Sequence, residues 1–307
     1  MKNIELKIIK TNNKKLRITE DKDIVELQKN IEKEGLLVPI IIDEGNNIIS
    51  GFKRVEIFKK IGKKEIPTII KTFSNEREKI KFIIEDNIRY RKLYATEIMR
   101  SIKLLLSYNY ENNEIAEILK IPVGYINHYL ILSELPEKIK EEINKEKLSI
   151  KNIEKIKYLV SKNFTPLIFF LAENNANANT QGMVFEYTIE IILRDKINAE
   201  EFFEKINIKE IINNVKLNTT QKVDKVYKKI YELRYPDIST AQNSFNSIVR
   251  KYFKNSNVKI SPPLNFEGDY IKLEAKLKKE IEVKNLIYDL ESFYRDKVIS
   301  KLKDLFI

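Results

Sequence analysis

At 307 residues with 43% hydrophobic content, the chain has room for two or three domains with filled cores, which excludes wholesale disorder. It holds no cysteine and one histidine, which excludes disulfides and thiolate chemistry and leaves a zinc site almost no ligands. The net charge of +11 invites a nucleic acid as partner, yet the basic excess lies at the two ends and residues 95–150 are slightly acidic.

The opening residues, MKNIELKIIKTNNKK, lack the apolar core of a signal peptide, and no apolar run is long enough to span a membrane. A cytoplasmic protein is expected. Residues 4–10 predict a strand. A helix follows with Ile24, Leu27 and Ile31 on one face, Asp21 or Asp23 as its cap and Gly35 just past its end. Glu34 to Thr72 then reads as strand, turn, strand, helix, strand. Pro39–Asp43 is apolar, Glu44-Gly45-Asn46-Asn47 supplies turn residues, and Ile48-Ile49-Ser50 is the second strand. Val55, Phe58 and Ile61 recur at helical spacing after Gly51-Phe52-Lys53-Arg54. A strand that ends in Gly and opens a helix bearing Lys53 and Arg54 suits an anion, because free N–H groups and two cations converge there. The plainer reading is a turn with solvated basic residues.

A charged helix is predicted from Ser74, with Glu85-Asp86-Asn87-Ile88-Arg89-Tyr90-Arg91 just past its end. Asp86 and Asn87 are candidates for a metal or a hydroxyl, and Arg89 or Arg91 for a phosphate. The alternative is a solvated junction between domains.

Thr96 is expected to cap the next helix. In Asn113–Leu132, the spacing of Ile115, Ala116, Leu119, Ile121, Ile126 and Leu130 is that of a helix-turn-helix, a pattern that any tight helical hairpin can mimic. Lys120 stands where the turn usually has Gly, so strain is expected. The exposed face of the second helix would be Val123, Gly124, Tyr125, Asn127 and His128, with Asn127 suited to adenine and Tyr125 or His128 to phosphate or base. No Lys or Arg lies on that face, so this module alone should bind DNA weakly. The lone His128 reads more simply as a surface histidine.

Residues 150–216 read as helical, interrupted by an exposed Asn-rich loop over 173–182, with a linker near Asn218–Gln221. Two amphipathic helices flank Tyr235-Pro236-Asp237. Tyr270–Lys278 alternates as a half-buried strand with Ile271, Leu273, Ala275 and Leu277 inward, and one last helix carries Leu286 to Leu302. So small a unit gains burial by pairing with a second copy, or by capping the rest of the chain.

Over about residues 1–165 the chain resembles the ParB family of chromosome and plasmid partition proteins, including its nucleoid-occlusion relatives. Gly35-Leu36-Leu37-Val38-Pro39 is similar to the family's Gly-x-x-Gln-Pro, and Gly51–Ile57 to its Gly-Glu-Arg-Arg-x-Arg-Ala phosphate motif. Asp86-Asn87, with Leu93 and Thr96, resembles its Glu-Asn motif, and Ile115–Leu132 its helix-turn-helix. The resemblance implies an α+β fold: a ParB/sulfiredoxin-like domain over 1–93, a helical DNA-binding domain over 94–216 and a dimerisation module over 220–307. It implies CTP with Mg2+ at Gly35, Pro39, Gly51, Lys53, Arg54, Asp86, Asn87 and Arg89, the metal at Asp86 and Asn87. It also implies double-stranded DNA, a homodimeric clamp, a ParA-type ATPase partner and association with the nucleoid.

Three departures fall at the nucleotide: Val38 for Gln, Phe52 for Glu and Glu56 for the last Arg. They predict weak CTP hydrolysis at most. Two further readings use the same fold: an adaptor that binds DNA without nucleotide switching, and a free-serine kinase that would need Glu34 or Asp43. A sulfiredoxin needs a cysteine after the loop glycine, where Phe52 stands.

Overall fold

The computed structural model describes residues 1–12, 16–19, 24–253 and 258–306. Asp21 and Asp23, the expected cap of the first helix, lie outside them. The chain divides into two compact units, Met1–Gly182 and Met183–Ile307.

The first unit opens on a four-stranded sheet of order β1-β4-β2-β3, with β1 Lys2–Glu5, β2 Ile40–Ile42, β3 Ile48–Ser50 and β4 Glu65–Ile70. β4 runs antiparallel to β1 and parallel to β2, and β2–β3 is antiparallel. The opening strand covers residues 2–5, not 4–10. Helices α1 (Ile24–Glu34) and α2 (Phe52–Lys60) supply Ile31, Val55, Ile57 and Phe58 to one core with Ile40, Ile42 and Ile48. The β2–β3 turn places Asn46 at φ +61°, and Asp43 accepts from the Asn47 N–H at 2.8 Å. Asp43 is also paired with the Lys79 ammonium at 2.8 Å.

Helix α3 (Glu76–Tyr90) is capped by Asn75, whose side chain accepts from the Glu78 N–H. It runs through Glu85–Tyr90, so the candidate Asp86, Asn87 and Arg89 lie on a helix and not beyond one. α4 (Ala95–Ser107), α5 (Asn112–Leu119), α6 (Tyr125–Ile131), α7 (Glu137–Asn144), α8 (Ile153–Ser161) and α9 (Thr165–Glu173) follow. Thr96 does not cap α4. It sits inside the first turn, buried, and its N–H donates to Asn144 Oδ1. The second core joins Ile49 of β3, Ile80, Ile83 and Ile84 of α3, and Ile102 and Leu105 of α4 to Ile115 and Ile126 of α5 and α6. The expected boundary at residue 93 therefore runs through a single core.

α10 is Ala178–Asp195, so the Asn-rich loop shrinks to residues 174–177. Gln181, expected in that loop, is buried: its amide donates to the Lys147 and Ala176 carbonyls and accepts from the Ser149 N–H.

In the second unit α11 (Ala199–Lys205) and α12 (Ile208–Asn213) lead to α13 (Thr219–Arg234) and α14 (Pro236–Tyr252). Asn218, expected in a linker, instead caps α13 reciprocally with Gln221. Tyr227, Tyr231 and Tyr235 lie one helical turn apart and pack on Tyr187. Burial, then the neighbouring phenols, pushes the Tyr187 hydroxyl up to about 12. Strands β5 (Val258–Ser261) and β6 (Lys272–Ala275) pair antiparallel. The last helix is two, α15 (Glu280–Arg295) and α16 (Val298–Lys303), broken where Lys297 takes φ +51°. Phe245, Phe253, Phe266, Phe293, Val298 and Leu302 form the core. β6 is exposed along its whole length, so the expected half-buried strand lacks a cover. No helix among the described residues is long and apolar enough to cross a membrane.

Candidate nucleotide pocket and helical hairpin

A cavity of about 540 Å³ opens where β3 passes into α2. Its walls are residues 16–19, the inner face of α1, the 35–38 loop, the Ile49–Arg54 joint, and Asp86, Asn87 and Arg91. Gly51 forms the joint at φ +103°. A Cβ there would stand 2.7 Å from the Ile40 methyl group, so both conformation and space demand glycine. The glycine lets the chain turn sharply, and the first N–H groups of α2 lack helical acceptors and carry the positive end of its dipole.

Arg54 ties the rim to the joint. Its Nη1 donates to the carbonyls of Val38 and Pro39 at 2.8 and 2.7 Å, and its Nη2 lies 3.5 Å from Ser50 Oγ. Ser50 Oγ donates in turn to Oδ2 of the buried Asp86 at 2.6 Å. Asn87 Nδ2 donates to the Ile83 carbonyl. Arg91 closes the far side, gripping both oxygens of the fully buried Glu97 at 2.6 and 2.7 Å. Such a two-pronged pair satisfies a carboxylate that burial would otherwise penalise heavily. Glu97 also accepts from the Tyr94 N–H at the start of α4.

Of the eight nucleotide candidates, Gly35, Gly51, Lys53, Arg54, Asp86 and Asn87 come together here. Pro39 contributes through its carbonyl to Arg54. Arg89 lines a separate polar cavity of about 480 Å³ with Lys81, Glu85, Glu114, Glu117 and Lys120. Glu34 borders the first cavity, whereas Asp43 is committed to Lys79. Among the described residues no three His, Asp or Glu side chains gather as a metal site. The donor set at Asp86 and Asn87, one carboxylate and one amide, suits a magnesium ion completed by phosphate oxygens and water. Sequence reasoning missed Arg17 and Ser50. Arg17 pairs across 39 residues with Glu56, a separation that leaves no periodic trace, and Ser50 passed as an ordinary strand end.

The hairpin carries the DNA candidates. α5 ends at Lys120, which adopts φ +55°, the left-handed conformation expected to strain a non-glycine residue. The Ile121 N–H reaches back to the Ala116 carbonyl and closes the helix end. Ile126 of α6 is buried in the shared core. Val123, Gly124 and Asn127 are exposed, whereas Tyr125 and His128 are half-buried and meet edge to face at 5.2 Å. The candidate reading face is thus narrower than the sequence suggested.

Residues 1–88 match the ParB N-terminal domain family. The chain carries a ParB N-terminal domain. It is 37% identical over 128 residues to a probable chromosome-partitioning protein ParB of Rickettsia prowazekii, covering 41% of this chain and 44% of that protein. A nucleoid occlusion protein of a Geobacillus strain is 30% identical over 131 residues, covering 41% of this chain and 46% of that one. The chain thus spans under half the length of these relatives. A truncated ParB of Caulobacter crescentus, solved with CTP-gamma-S, overlaps loosely, at a TM-score of 0.27 and 20% identity, covering 58% of this chain and 92% of that one.

Proposed function

We propose that the protein is a ParB-like, DNA-binding partition protein, dimeric through residues 220–307, whose N-terminal cavity takes CTP with magnesium. One observation carries the reading. The cavity wall at Ile49, α3 and the α5–α6 hairpin share a single core, so a ligand at Gly51 has a packed route to the helix that would face DNA. Lys53, Arg54 and the α2 amides suit phosphates, and Asp86 with Asn87 suits the metal, whose charge would offset theirs. Asn127 offers the amide that reads adenine. The exposed apolar residues Leu273, Leu277, Ile281 and Ile287 support self-association, and a ParA-type ATPase completes the proposal.

Calorimetric titration with CTP and then ATP, each with and without magnesium, tests the pocket. Selective CTP binding, weakened by Lys53→Ala, is expected. Lys53 is the better target because Arg54 also anchors the 38–39 backbone. Retained DNA binding without either nucleotide would replace this reading with the adaptor. ATP binding with phosphorylation of free serine would favour the kinase, with Glu34 at the cavity rim as its candidate carboxylate. The hairpin assignment is tested with the Tyr125→Ala/Asn127→Ala variant, whose preference for a specific site over random DNA should fall.

A further inference from the structure

Helix α13 interleaves aromatic and basic residues. Its sequence, TTQKVDKVYKKIYELR, holds five cations against two carboxylates. Val223, Val226 and Ile230 are its buried face. Tyr227 and Tyr231, with Tyr235 just past the helix end, recur every fourth residue and form a stripe beside that face. Neighbouring rings of the stripe lie 6.3 and 5.0 Å apart, centre to centre, and are tilted against each other. Tyr187 of α10 backs all three at 5.6 to 6.2 Å. The four tyrosines are half-buried, so packing fixes each ring while part of it stays open to solvent. Arg234 is held at the end of the stripe, paired with Glu190 and 4.8 Å over the Tyr235 ring.

At 3.6 residues per turn, Lys225, Lys228 and Lys229 fall on the side of the stripe away from the buried face, and all three are exposed. Lys228 and Lys229 approach Glu232 only at 3.9 and 3.8 Å, a pairing that solvent screens to little strength. The other carboxylate of the helix is Asp224.

We propose that this face of α13 binds a single strand of nucleic acid, its bases against Tyr227, Tyr231 and Tyr235 and its phosphates along Lys225, Lys228 and Lys229. Every base has a π-face, so a row of rings holds a strand whatever its sequence, and a row of cations tracks the backbone. A duplex keeps its base faces inside the stack and offers this surface phosphates alone. A tyrosine cluster that served packing only would need no cations beside it, and a solvated charged face would need no row of rings.

Fluorescence anisotropy tests the site on the full chain, with labelled oligo-dT, oligo-rU and an oligo-dT·oligo-dA duplex of equal length. Wild type should hold a single strand about tenfold or more tighter than the duplex at equal salt; whether dT or rU is held tighter identifies the strand as DNA or RNA. Tyr227→Ala/Tyr231→Ala should weaken single-strand binding by about tenfold or more and duplex binding far less, whereas Tyr227→Phe/Tyr231→Phe keeps the rings and should keep the affinity. Lys225→Gln/Lys228→Gln/Lys229→Gln should melt like wild type and lower the salt dependence by about 0.7 in the log–log slope for each phosphate contact removed. That variant carries the test where the alanine variant fails to fold. Equal affinity for strand and duplex in the wild type would overturn the proposal. So would an unchanged salt slope in the lysine variant, or wild-type affinity in a folded alanine variant.

Discussion

Strands β2 and β3 of the first sheet and β6 of the second end in opposite states. In the first, Ile40, Ile42, Ile48 and Ile49 are all at most 1% exposed. In the second, every residue of β6 is exposed and Leu273 stands at 41%. Alternation creates an apolar face but does not provide what lies on it. In the first unit α1 and α2 cover one side of the sheet, and α3 packs on Ile49 from the other. In the second unit Val258 and Ile260 of β5, and Ile271 just before β6, reach the core, but β6 itself does not. That contrast is what the proposed pairing with a second copy would remove.

Truncation breaks the comparison most sharply. Ile42→Ala should cost about 2–5 kcal/mol in denaturant unfolding. Leu273→Ala should cost within about 0.5 kcal/mol at concentrations where the chain is monomeric, and it should weaken self-association in sedimentation. Equal costs in dilute solution would mean that β6 is covered within the chain itself.

Glycines sharpen it next. Gly51→Ala combines a left-handed conformation with a methyl group driven into Ile40, for a loss of roughly 2–4 kcal/mol. Gly124→Ala, at φ −61° with nothing within 4 Å, should change stability by less than about 0.5 kcal/mol in the same experiment.

A smaller effect follows pH. Burial alone would raise the Asp43 carboxyl, but hydrogen bonds from Lys79 and Asn47, with the charge of Lys79, outweigh it and hold the group below the usual range. Burial likewise opposes charge on Lys79, and its bonds to Asp43 and Glu76 outweigh that and raise it. Asp43 therefore contributes stability that is present above the ordinary aspartate value of about 4 and is lost as pH falls through its lower folded value. Lys79 contributes below its ordinary value and loses that contribution as pH rises through its higher folded one. Asp43→Asn should flatten the acid side of the stability profile relative to wild type, and an unchanged slope would show that the pair contributes nothing there. Lys120→Gly should gain about 1 kcal/mol in thermal or denaturant melts by relieving its left-handed backbone.

The elements from Pro39 to Thr72 were legible because turn residues and two distinct periods mark them within a short span. The hairpin was legible for the same reason, down to the strain at Lys120. Tertiary relations were not. Asp86 read as lying past a helix because its charged neighbours resemble a junction, whereas its buried carboxylate accepts from Ser50, 36 residues away on β3. Gln181 looked like loop because polar composition says nothing about a side chain that satisfies three backbone groups at once. The role of Glu56 read as a lost charge, since its partner is remote in sequence.

The core shared by β3, α3 and the α5–α6 hairpin sets a limit on how this architecture can vary. A fragment cut at residue 93 would strip Ile80, Ile83 and Ile84 of their partners on α4, α5 and α6. Any substitution that reshapes the cavity wall at Ile49 is therefore also felt, through the same packed side chains, by α5 and α6.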